Sequence, residues 1–410
     1  MHQATSLTRA ANATPWLNAE RVRAWSFIYS AIAIATIAIY LIGTRNGVDF
    51  FGRPIGADFA SFWTAARLAF EGAPASAWSV ETHYAAQRAA FGPDAPYAAF
   101  FYPPPYLLVC LPLALAPYGS ALCVWLAATG AAWLHMARAW VRGTGAKQLG
   151  WTALLSFPAV LVNAGHGQNG FLTAALFGLG ALLHQRRPWL AGALFGCLVI
   201  KPHLAVLVPI FLIVTGNWRA FLSAAVTAMG LCLVAFAAFG PDAWHAFFAA
   251  SSLARATLDQ GLVDYGKMQS LFAAARMMGA SAATAWFAQI FSAIICLVCL
   301  WRIRRATPEA TGASLVCATL LTTPFLLDYD LTILIVPLVW LLAEAQSDAF
   351  RPGERLVLFL GAALPLLSRP IAIAIHVPVA PIIFLLMLHY IIRRADPPTR
   401  PRHLTSETRP

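Results

Sequence analysis

Asp58, Lys201 and the triplet Asp328-Tyr329-Asp330 stand out in a chain that carries few ionisable side chains. Asp58 lies in the stretch Ile-Gly-Ala-Asp-Phe-Ala-Ser-Phe-Trp, beside Phe59, Phe62 and Trp63. A carboxylate among aromatic rings loses water, which raises its proton affinity toward the range useful to a general base. The competing role is a helix N-cap, because aspartate caps helices readily and Phe59 onward reads as helical. Lys201-Pro202-His203 joins two short apolar runs. A lysine held near membrane depth needs an anionic partner, and phosphate is an apt one. Snorkelling to an aqueous surface is the alternative. Arg276 is the next cation on this face, with Arg255 and Lys267 behind it. Arginine favours bidentate phosphate contacts, though a headgroup-facing arginine looks the same. Asp328 and Asp330 suit a substrate hydroxyl or a divalent cation, and two acids alone fall short of a metal site.

Three further breaks carry polar or rigid residues. Phe101-Tyr102-Pro103-Pro104-Pro105 is a stiff aromatic turn that ends one element and starts another, and its aromatic faces suit a sugar or lipid. In His166-Gly167-Gln168-Asn169-Gly170, glycine permits close backbone approach, and Gln168 and Asn169 can bind hydroxyls; a plain loop is the alternative. Met268-Gln269-Ser270 precedes Arg276. The chain has no GxxxxGK[ST], no credible GxGxxG, no HExxH and no serine elbow, so nucleotide hydrolysis and dinucleotide binding find no support.

The elements that position these residues are apolar. Of 410 residues 60% are hydrophobic and 11% charged, against about 25% charged in soluble domains. Runs approaching the ~20 residues that cross a bilayer predict an all-α polytopic membrane protein. The net charge of +11 comes from basic residues flanking apolar runs, such as Arg302, Arg304, Arg305, Arg393 and Arg394. That is the positive-inside pattern, not a nucleic-acid stripe. Seven cysteines lie in apolar stretches, and even Cys296 and Cys299 lack the polar partners of a redox or metal site.

With Arg21 and Arg23 cytoplasmic, the run 24–42 reads as a first span and signal anchor without a cleavage site. It delivers residues 44–103 outside, where 58–70 and 77–90 read as juxtamembrane helices. The proline-rich run 104–116 is short and reads as re-entrant, which keeps Arg138, Arg142 and Lys147 inside. Later spans are expected near 119–140, 150–164, 170–184, 189–200, 203–215, 220–239, 283–301, 312–325, 329–345, 355–367 and 371–392. That makes about 12 spans within one transmembrane domain, 21–395. The polar tails 1–20 and 396–410 should be disordered, with both termini cytoplasmic. The polar breaks then all face one external cavity.

In order and spacing these pieces resemble glycosyltransferase family 87, whose members include bacterial polyprenyl-phosphomannose mannosyltransferases. The resemblance runs from about residue 55 to 331. It rests on Asp58 with Ala65-Ala66, Gly72, Phe101-Tyr102-Pro103-Pro104, Gly167-Gln168-Asn169, Lys201-Pro202, Gln269-Ser270 with Arg276, and Pro324 with Asp328 to Asp330. Met268 stands where relatives carry asparagine. It implies a C-type glycosyltransferase fold and a catalytic aspartate in the first external loop, carried onto Asp58. It also implies an external active site in the bacterial inner membrane and a polyprenyl-phosphate sugar donor.

The combined expectation is inverting transfer to a hydroxyl of a lipid or glycan acceptor, with Asp58 as base. Lys201, His203 and Arg276 would meet the donor phosphate. Tyr102, Gln168, Asn169, Gln269, Asp328 and Asp330 would contact substrate, and no cofactor or metal is called for. The alternatives are a lipid or sugar transporter or flippase without covalent transfer, and an assembly scaffold.

Overall fold

The computed structural model describes residues 16–395 apart from 46, 147, 148 and 263. The expected tails at 1–15 and 396–410, and Lys147, lie outside the described residues. The helices are α1 (Ala19–Ile42), α2 (Ala57–Phe70), α3 (Val80–Phe91), α4 (Pro104–Cys110), α5 (Tyr118–Thr144), α6 (Trp151–Leu155), α7 (Pro158–His166) and α8 (Gly170–Leu183). They continue as α9 (Pro188–Gly196), α10 (Leu207–Val214), α11 (Trp218–Gln260), α12 (Leu271–Met277), α13 (Ala282–Ile303), α14 (Pro308–Thr322), α15 (Ile335–Ser347), α16 (Glu354–Ile375) and α17 (Ala380–Ala395). Among the described residues there is no strand, only isolated bridges. With no water to bond peptide groups, a spanning chain satisfies them within helices.

Among the described residues, six helical stretches are long and apolar enough to cross a membrane: Ala19–Ile42, Tyr118–Thr144, Trp218–Gln260, Ala282–Ile303, Asp328–Ser347 and Glu354–Ile375. Pro104–Leu115, Gly170–Leu183, Pro188–Ile200 and Pro202–Val214 are apolar but shorter. The all-helical, multi-pass reading therefore stands, while the count of about 12 does not follow from these lengths. Helices are present over both stretches expected to be helical between 44 and 103, as α2 and α3.

Several boundaries differ from expectation for local reasons. The first helix begins at Ala19, inside the tail expected over 1–20, because the Asn18 side chain accepts from the Arg21 N–H at 2.9 Å and caps it. The run 150–164 is split into α6 and α7, because the helix cannot pass Phe157-Pro158. The helix expected to stop near 239 continues to Gln260 through a kink at Gly240 (φ 72°, ψ 176°) and Pro241. The break expected at 367–371 falls instead at His376, which adopts the left-handed conformation (φ 56°) two residues before Pro378.

α14 and α15 are buried on nearly every face and form the centre, packed by Trp133, Trp140, Phe177, Val316, Val339 and Phe384. A second cluster, with Phe59, Phe62, Tyr106 and Trp125, lies under the first loop. α17 is locked by one buried ion pair. Arg394 donates Nε to Glu354 Oε1 at 2.5 Å and Nη2 to Oε2 at 2.6 Å, and it also holds the Glu344 and Ala349 carbonyls. Glu354 is 0% exposed. Replacing Glu354 with alanine strands a buried guanidinium and is expected to destabilise by about 3–5 kcal/mol, read as a lower melting temperature in nanodiscs. An unchanged melting temperature would deny the pair its structural role.

Candidate active site

The polar side chains sit in breaks between helices, and three of these breaks are pinned by tryptophans. Trp78 Nε1 donates to the Tyr102 carbonyl at 2.9 Å, Trp125 Nε1 to Gly167 at 3.1 Å, and Trp133 Nε1 to Thr332 at 3.0 Å. A buried indole must place its N–H, and each here does so on the backbone of a loop that carries chemistry.

Asp58 is the second residue of α2. The cap is Gly56, left-handed at φ 65° and ψ 59°, so the N-cap alternative for Asp58 is not realised. The Tyr118 hydroxyl donates to the carbonyls of Ile55 and Gly56 and fixes the approach to the helix. Gly56 lies directly on Gly167. A Cβ on Gly167 would come within 2.6 Å of Phe59 Cβ and 3.3 Å of Gly56 Cα. This abutment sets the carboxylate of Asp58 over the 167–169 loop.

There Gln168 Nε2 donates to Asp58 Oδ2 at 3.1 Å. Gln168 Oε1 accepts from the Tyr102 hydroxyl at 3.0 Å and from the Asn169 N–H at 2.7 Å. A backbone N–H can only donate, so the amide oxygen faces Asn169 and the NH₂ faces Asp58. Asn169 Oδ1 accepts from Lys201 Nζ at 3.1 Å, and the same ammonium donates to Asp330 Oδ1 at 2.5 Å. Lys201 and Asp330 are each 3% exposed. The Tyr329 ring lies 5.2 Å from Nζ. Tyr102, Gln168, Asp58, Asn169, Lys201 and Asp330 thus form one connected network.

Burial pushes the Asp58 carboxyl above the ordinary aspartate range; His166, the Gln168 hydrogen bond, Lys267 and Lys201 oppose that shift. The wall beside it is aromatic: Phe62 meets Tyr102 at 5.3 Å and Tyr106 at 5.1 Å between ring centroids.

The other expected residues take different places. Arg276 is a brace: Nε donates to the Tyr265 hydroxyl at 3.1 Å, Nη1 to the Ala280 carbonyl at 2.7 Å and Nη2 to the Asp259 carbonyl at 3.2 Å. It does not join the Asp58 network. His203 packs edge-on to Phe325 at 6.4 Å, and its backbone carbonyl accepts from Thr323 at 3.3 Å. Asp328 is buried and accepts from the Tyr329 N–H at 2.9 Å. Gln269 donates its N–H to Leu326 at 2.7 Å, and its buried Oε1 has no partner among the described residues. Met268 pairs with Leu327 through the backbone and packs against Phe272 and Tyr329, an apolar setting that suits methionine better than asparagine.

His166 near Asp58, and the three tryptophan pins, were not singled out from the sequence. His166 was within the motif that contained Gln168, but nothing in its spacing marked it. Among the described residues, no group of three His, Cys, Asp or Glu side chains is placed to hold a metal ion. A cleft of about 630 Å³, lined by Phe70, Pro74, Leu111, Phe239 and Asp242, opens elsewhere and contains none of the network. Replacing Gly167 with alanine adds a methyl at φ +64° against Phe59. The expected cost is about 1–3 kcal/mol of stability, and a melting temperature equal to wild type would show that α2 is free to shift.

The family model for glycosyltransferase family 87 matches residues 100–326, more than half of the chain. The matched stretch holds Tyr102, Gln168, Asn169, Lys201 and Gln269; Asp58 precedes it and Asp330 follows it. No curated relative and no solved structure matches the chain. A match of that extent, on a helical chain whose described residues include six helices long and apolar enough to cross a membrane, makes this protein a member of glycosyltransferase family 87 and a membrane glycosyltransferase.

Proposed function

We propose that the protein moves a sugar, mannose by family resemblance, from a polyprenyl-phosphate donor to a hydroxyl of a lipid or glycan acceptor. The reading places this at the external face of a bacterial inner membrane, with both termini cytoplasmic. The observation that carries it is the presentation of Asp58. Its half-buried carboxylate is turned by an oriented amide, walled by aromatic rings and joined to a buried ion pair.

Asp58 takes the proton of the acceptor hydroxyl as that oxygen attacks the anomeric carbon. The bond from the anomeric carbon to the phosphate oxygen breaks, and polyprenyl phosphate leaves. Attack opposite the leaving group inverts the anomeric centre, through a transition state of oxocarbenium character. Phosphate leaves as an anion, so a second carboxylic acid is not required. Tyr102 and Asn169 orient Gln168, and Gln168 orients the base. The Lys201–Asp330 pair holds Asn169 in place and is close to neutral as a unit.

Asp58→Asn removes the base and is expected to lower transfer by about 10²–10⁴-fold with polyprenyl-phosphate sugars in proteoliposomes. Undiminished transfer would remove Asp58 from the reaction, and sugar flux without a glycosylated product would favour a transporter. The pH dependence tests Gln168. The base acts deprotonated, so activity falls as pH drops through its raised pKa. The Gln168 donor holds that pKa down. Gln168→Met is therefore expected to move the acidic limb of the kcat profile to higher pH; a limb that stays in place would detach Gln168 from the base.

A further inference from the structure

Two of the cations that the sequence offered to the donor phosphate, Lys201 and Arg276, already have work. Lys201 neutralises Asp330, and all three nitrogens of the Arg276 guanidinium serve the 259–280 segment. An anion arriving beside a closed Lys201–Asp330 pair meets little net charge. Two other basic side chains are placed differently. Lys267 is half-buried, and its ammonium makes no hydrogen bond or ion pair among the described residues. It nevertheless lies within electrostatic range of Asp58. His166 is also half-buried and lies, like Lys267, within electrostatic range of Asp58. Its Nδ1 is 2.8 Å from the Val162 carbonyl, so Nδ1 carries a proton and Nε2 is left for another partner.

The backbone brings these two together. Met268 pairs with Leu327, and the Gln269 N–H donates to Leu326, which ties the 265–269 turn to the segment ending at Asp330. Val162, Met268, Leu327 and Tyr329 share one hydrophobic cluster, and the His166 ring lies 5.6 Å from that of Tyr329. The end of α7 and the 265–269 turn therefore meet over Tyr329, beside Asp58. Gln269 Oε1, two residues after Lys267, is fully buried with no donor. An acceptor in that state suits a hydroxyl of whatever the cations bind.

We propose that Lys267 and His166 form a phosphate-ester site next to Asp58. Its ligand is the phosphate of a lipid-linked sugar, and Gln269 takes an adjacent sugar hydroxyl. The assignment rests on the transfer reading above and moves the donor phosphate away from Lys201 and Arg276. The ammonium of Lys267 and the Nε2–H of His166 as imidazolium stabilise the charge that gathers on phosphate as the anomeric bond breaks. The contacts of Lys267 within its turn, from its N–H to Asp264 and from Gln269 to its carbonyl, are made by the backbone, so a side-chain substitution retains them.

The test uses the full-length protein in phosphatidylcholine nanodiscs, with polyprenyl phosphate as a competitive inhibitor of the donor. Lys267→Ala is expected to raise both the donor KM and the inhibition constant of polyprenyl phosphate about 10- to 100-fold. Lys267→Arg should recover most of that loss, His166→Gln should share it, and acceptor KM should stay unchanged. If wild type transfers sugar while Lys267→Ala leaves both donor constants unchanged, this site is wrong and the transfer reading survives. If phosphatidylglycerol nanodiscs compete as strongly as polyprenyl phosphate, the site belongs to bulk lipid headgroups and the proposal also fails. Absence of transfer by wild type would sink the transfer reading itself.

Discussion

An ammonium and a carboxylate removed from water must find each other, and Lys201 and Asp330 do so across 129 residues of chain. Removing either partner of such a buried pair typically costs about 3–5 kcal/mol, because the other is left uncompensated. The same ammonium holds Asn169, and Asn169 supplies the N–H that fixes the amide of Gln168. One ion pair therefore sets the register of three separate breaks: 167–169, 201–203 and 328–330. Asp58 inherits its orientation from that register without touching either charge.

Short helices make this arrangement possible. α7, α8 and α9 stop early, and their ends supply the polar turns. Each turn would be costly at membrane depth unless buried against protein. The tryptophans answer that requirement by donating to loop carbonyls from neighbouring helices. Gly170 answers it by absence: a Cβ there would meet Asn163 Oδ1 and the Tyr329 carbonyl, each at 2.5 Å. The chemistry-bearing loops are thus held by the same packing that forms the helical core.

Much of this was legible in residue types. Ionisable groups are rare enough that Asp58, Lys201 and Asp330 announced themselves, and their convergence follows from the cost of stranding them singly. Gln168, Asn169 and Tyr102 were legible for a different reason, as polar and aromatic residues at breaks between apolar runs. What could not be read was partner choice. Lys201 has the anionic partner that its depth demands, and the carboxylate of Asp330 supplies it. Arg276 reads from sequence as facing a donor phosphate or a lipid headgroup, and it instead braces a hydroxyl and two carbonyls, because a guanidinium bonds any of these. Helix ends were the weakest reading: Pro370 lies inside α16 and Pro241 inside α11, while the break fell at His376. The count of about 12 spans is open to the same ambiguity, since apolar runs of a dozen residues fit equally a short buried helix and part of a crossing.

The Glu354–Arg394 pair carries a consequence for biosynthesis. The carboxylate is made forty residues before its guanidinium. A nascent chain that has emerged only as far as α16 lacks the guanidinium that pairs with this carboxylate in the folded protein. Completion of α17 supplies it, along with the contacts to the Glu344 and Ala349 carbonyls. A chain cut short before residue 394 would leave the Glu354 carboxylate without the guanidinium that holds it in the folded protein.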